Sequence, residues 1–113
     1  MSQRYGTDHP EVIDVITEKD DTCYLYVIQD AELDDERTLA LQTKLNNYLA
    51  FILDGQLAEE YPSKAQLQKV IRIELQYPAT GVAAEFLERI EPYLQKEGVG
   101  FEVGVHSARM TYN

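Results

Sequence analysis

Between Leu41 and Pro62 the chain carries a helical pattern with its own stop signal, and this stretch restricts the fold more than any other. Leu41, Leu45, Tyr48, Leu49 and Ile52 recur at helical spacing, with Phe51 and Leu53 widening the stripe. Gln42, Thr43, Asn46, Asn47 and Asp54 fall on the other side. A helix apolar on one face only must lie on something, so the rest of the chain has to supply a surface. Gly55 offers the left-handed residue that ends the helix, and Gln56 to Tyr61 allow one further turn before Pro62. The acidic window Asp30 to Glu36 precedes the pattern, where negative side chains complement the helix dipole, with Asp34 or Asp35 as N-cap.

The flanking segments read as strands. Val12 to Glu18 is rich in β-branched residues, Lys19 to Thr22 is polar, and Cys23 to Gln29 is strand-like again, which predicts an antiparallel hairpin. Lys69 to Tyr77 alternates, with Ile71, Ile73, Leu75 and Tyr77 on one face and Val70, Arg72, Glu74 and Gln76 on the other. After Pro78, Thr80 or Gly81 opens a second helix whose stripe is Val82, Phe86, Leu87, Ile90 and Leu94. Pro92 predicts a kink or restart in it, and Gly98 closes it. Val99, Phe101, Val103 and Val105 then point inward, with Gly100, Glu102 and Gly104 outward. The order β-β-α-β-α-β predicts an α+β fold: a two-layer α/β sandwich, a four-stranded mixed sheet with two helices on one face. Residues 1–113 form a single domain, with 1–10 as an N-terminal arm and 106–113 as a C-terminal tail.

At 113 residues and 44% hydrophobic, one domain can bury a core without metal or disulfide staples. Ten Lys and Arg against 20 Asp and Glu give a net charge of -10, a field that repels phosphate backbones and anionic headgroups. Neither nucleic acid nor a membrane is expected as a partner. One cysteine excludes an intramolecular disulfide, and no leader or apolar span of about 18 residues is present, so a cytoplasmic setting is expected.

Catalytic patterns are missing. Cys23 alternates with Leu25 and Val27 and reads as a buried thiol, while His9 and His106 fall in the polar arm and tail. Either histidine becomes a candidate base only if the fold sets it beside Cys23 or a carboxylate. The acidic window lacks the glycine and distal glutamate of a calcium loop, and Gly98-Val99-Gly100 precedes a strand, so it offers no helix N-terminus to an anion. No cofactor, metal or catalytic residue is expected, and the chain is read as no enzyme. The helix-free sheet face is more promising. Cys23, Leu25 and Val27 make the better core, which leaves Tyr24 and Tyr26 outward with Arg72, Glu74, Gln76 and Glu102, and Gly100 and Gly104 leave room for a partner. Tyr24, Tyr26, Arg72, Glu74 and Glu102 are therefore the candidate partner-binding residues.

Leu41 to Leu57 with Tyr61-Pro62, Ile71 to Pro78, and Gly98 to Phe101 together resemble a family of small bacterial proteins of unknown function, the DUF6572 type. The resemblance spans nearly the whole chain and implies a bacterial origin and a stand-alone domain, and it brings no activity. The function expected from the residues is a non-enzymatic protein–protein interaction module, joined to another protein or to a copy of itself. One specific version is an immunity or inhibitor protein against a basic toxin. The competing reading is a small-molecule binder or minor enzyme whose pocket lies between helices and sheet, where Tyr48, Tyr77, Tyr93 or His106 converge.

Overall fold

The computed structural model describes residues 5–106, so the first four residues of the predicted arm and residues 107–113 of the predicted tail lie outside it. Strands β1 (Val15–Lys19) and β2 (Thr22–Gln29) form the expected antiparallel hairpin. Its turn is only two residues long: Asp20 and Asp21 take φ of 52° and 64°, the left-handed pair that matches the twist of the strands. Helix α1 (Asp35–Leu53), the short helix α2 (Gln56–Glu60) and a 3-10 turn at Pro62–Lys64 lead to β3 (Gln68–Leu75). Helix α3 (Gly81–Lys96) and β4 (Val99–Val105) complete the chain.

Strand order in the sheet follows chain order, β1-β2-β3-β4, with β2, β3 and β4 parallel. Each crossover therefore steps one strand further in the same direction, and this puts α1 and α3 on one face. Because the order never reverses, the sheet has no switch point at which crossovers diverge and open a crevice. The four-stranded mixed sheet of an α+β fold is as expected, with α2 as a third, short helix. Among the described residues no helix is long and apolar enough to cross a membrane.

The core lies between this sheet face and α1. Cys23, Leu25 and Val27 of β2, Ile71 and Ile73 of β3, and Leu41 and Tyr48 of α1 are completely buried. Asp34 is the N-cap, its carboxylate accepting from the Arg37 N–H at 2.8 Å, and Gly55 at φ 88° separates α1 from α2. Helix α3 runs through Pro92 instead of restarting. Pro92 and Glu88 are both exposed, so water can satisfy the Glu88 carbonyl that the ring leaves without a donor.

Several inward positions are less covered than their periodicity predicts. Leu53, Tyr77, Val82, Val103 and Val105 are exposed. Leu53 and Val82 occupy the last and first turns of their helices, Tyr77 follows the end of β3, and Val103 and Val105 belong to the edge strand β4. The side of each element was read correctly; its ends run past the layer that covers it.

The N-terminal segment departs most from expectation. β1 begins at Val15, three residues later than the β-branched run suggests, because the side chain of Asp14 takes the place of strand pairing. Its Oδ2 accepts from Gly6 N at 3.0 Å and Ile28 N at 2.9 Å. Its Oδ1 meets the ammonium of Lys44 at 2.8 Å, with both side chains fully buried. Lys44 also donates to the carbonyls of His9 and Val12, each at 2.8 Å, so α1 reaches into the segment and fixes it. Tyr48 completes the cluster by donating to the Tyr26 carbonyl and accepting from Asp14 N at 2.9 Å. Gly6 is held at φ 77°, and a Cβ there would come within 2.9 Å of the Ile28 carbonyl oxygen. Residues 5–14 carry no helix or strand, yet they are knitted to the fold by buried polar contacts.

Candidate functional site on the open sheet face

Strand alternation decides what this face displays. With Cys23, Leu25 and Val27 inside, Tyr24, Tyr26 and Ile28 must turn outward, and the parallel register extends each into a row. Tyr26 stands opposite Arg72 and Arg72 opposite Glu102; one row further on, Ile28 stands opposite Glu74 and Glu74 opposite Gly104. The tyrosine rings lie 6.1 Å apart at 37°. Tyr24, Tyr26, Arg72 and Glu102 line one shallow depression of about 460 Å3, together with Thr17, Glu18 and Lys19 of β1. Glu74 adjoins it through Arg72, so the fold does gather the five residues chosen from the sequence.

Arg72 organises the charges. Its Nη1 donates to Glu102 at 2.8 Å and its Nε donates to Glu74, whose second carboxylate oxygen meets Nε2 of His106. These two carboxylates push the Arg72 guanidinium above its ordinary value, the Glu74 hydrogen bond first, so its positive charge is permanent. His106, assigned to the tail from sequence, instead prolongs the sheet: its N–H donates to the Leu75 carbonyl at 2.7 Å. The imidazole is thereby placed beside a carboxylate. Cys23 lies on the opposite face of the sheet, so the His106–Glu74 pair does not meet the chain's one cysteine.

The room expected for a partner over the two glycines is already filled from within the sheet. A Cβ at Gly104 would collide with Arg72 Nη2 and lie 2.9 Å from Glu74 Oε1, and one at Gly100 would lie 3.0 Å from Val70 Cγ2. Glycine at 104 is what lets the Arg72–Glu74 pair lie flat across β4. The face is consequently a preformed surface of aromatic rings and an ion-pair row.

The other candidates fall elsewhere. Cys23 is completely buried, and burial pushes its thiol up, away from the nucleophilic thiolate. His9 contributes its backbone carbonyl to Lys44. Tyr48 is locked in the interior, Tyr77 and Tyr93 are exposed, and His106 lies on the open face, so these four share no cavity. The buried Asp14–Lys44–Tyr48 cluster was missed in the sequence, although a signal for it exists. Lys44 falls three residues after Leu41 and four before Tyr48, within the apolar stripe, and Asp14 interrupts a β-branched run.

A second concavity, of about 730 Å3, separates β1 and the residues before it from α1 and α2. Ile16 and Phe51 contribute apolar surface, Asp54 and Glu60 stand on the helical side, and no lysine or arginine is among the described residues that line it.

A family model described as a family of unknown function, DUF6572, matches residues 6–107. No curated protein and no solved structure matches the chain.

Proposed function

As the chain belongs to the DUF6572 family, whose function is unknown, we propose that it is a non-enzymatic protein–protein interaction module of the bacterial cytoplasm, meeting its partner through the helix-free sheet face. The observation that carries this reading is the row Tyr26, Arg72, Glu102, with Tyr24 and Glu74 beside it, on a face that no helix of the described residues covers. Tyrosine and arginine offer large contact area with a polar end, and Arg72 is already held by Glu74 and Glu102, which lowers the entropy it loses on association. The charge of -10 favours a basic protein as partner and accelerates the encounter, the behaviour an immunity or inhibitor protein requires. It disfavours a second copy, nucleic acid or an anionic membrane on the same surface.

Affinity capture from a bacterial lysate at low and moderate salt, together with the light-scattering mass of the purified protein, tests this. A basic protein retained stoichiometrically at low salt, with a monomeric mass for the free chain, is the expected outcome. A strict monomer that retains no protein contradicts it.

A further inference from the structure

Strand β1 is an edge of the sheet, and its free side borders the 730 Å3 groove against α1 and α2. The hairpin geometry states which backbone groups it presents. In a two-residue hairpin the residues flanking the turn, Lys19 and Thr22, exchange both backbone hydrogen bonds, and bonded and non-bonded pairs alternate from there. Ile16 and Glu18 therefore turn their N–H and C=O groups away from β2, and neither amide has a partner among the described residues.

Below that edge the groove combines two chemistries. Ile16 and Phe51 form an apolar floor, and Asp54 and Glu60 place carboxylates along the helical wall, with no lysine or arginine among the described residues that line the groove. Glu60 accepts from Gln56 at 2.8 Å, which steadies the carboxylate without neutralising it. Lys64 engages Glu18 at 3.5 Å and is not among the lining residues. An added strand turns every second side chain into this groove. A lysine or arginine there lays its aliphatic stem over Ile16 and Phe51 and carries its charge to Asp54 and Glu60; a glutamate would meet like charge.

We infer that the groove between β1 and the α1–α2 corner receives an extended, lysine- or arginine-bearing segment of another polypeptide, added to the sheet as a fifth strand at the β1 edge. This goes beyond the reading of the open face and uses a different surface. Acidic lining in a groove that ends at unpaired strand groups favours a cationic peptide over a second copy of a chain carrying a charge of -10.

The test uses a display library of random twelve-residue peptides selected against the whole protein, with the winners titrated into 15N-labelled protein. Winners are expected to alternate apolar with lysine or arginine residues and to shift the amides of Ile16 and Glu18. The exposed double variant Asp54→Asn, Glu60→Gln should weaken their affinity at least about tenfold, and Arg72→Gln should leave it within about twofold. A selection with no enrichment, acidic winners, or winners indifferent to the double variant would overturn the inference. Winners weakened by Arg72→Gln alone would overturn it too while supporting the open-face reading, so the two proposals fail separately.

Discussion

At the scale of single residues, Lys44 ties the N-terminal segment to the fold. Its ammonium is fully buried and bonded to Asp14 and to two backbone carbonyls, and it lies 5.7 Å from the centroid of the Tyr48 ring. Lys44→Ala leaves the Asp14 carboxylate buried without its counter-charge and should cost about 3–5 kcal/mol, measured by urea unfolding. Replacing both partners by apolar residues, Asp14→Leu with Lys44→Met, should recover only part of this, because Gly6 and Ile28 lose the acceptor for their N–H groups. Tyr48 sets an alkaline limit. Burial holds its phenol protonated well above the ordinary tyrosine range, so the unfolded chain loses this proton from about pH 10 while the native state keeps it. Stability from this group is complete below that pH and falls as pH rises above it; Tyr48→Phe should flatten the alkaline slope of stability by one proton's worth.

At the scale of elements, what could be read from sequence followed from periodicity. The stripe from Leu41 to Ile52 and the alternation from Ile71 to Leu75 gave type and facing, because burial on one side imposes those spacings whatever the partner. The start of β1 was not legible, since the pull of Asp14 out of strand pairing comes from Gly6, Ile28 and Lys44, each at least eight residues away. The five open-face residues were found because outward positions follow from inward ones. Their internal pairing, and the arrival of His106 at Glu74, depend on register between strands and had no local signal. Pro92 marks the weakest point of α3. Pro92→Ala restores a donor to the Glu88 carbonyl and should stabilise the protein by about 1–3 kcal/mol, seen as a higher urea midpoint with unchanged slope.

At the scale of the whole molecule, one topological fact separates scaffold from surface. Because strand order follows chain order, both crossovers land on one face, and the segment from Leu41 to Pro62 is consumed by covering it. The opposite face is left with residues that pair among themselves, and the β1 edge is left with a groove. A charge of -10 surrounds both, so association should weaken as salt rises. The open face is the central claim, and its most direct test compares capture by the native protein with capture by a Tyr26→Ser, Arg72→Gln variant whose native fold is confirmed by circular dichroism. Loss of the retained protein from the variant, with its retention by the Asp54→Asn, Glu60→Gln variant, is the predicted result; equal retention by the native protein and the Tyr26→Ser, Arg72→Gln variant would contradict it.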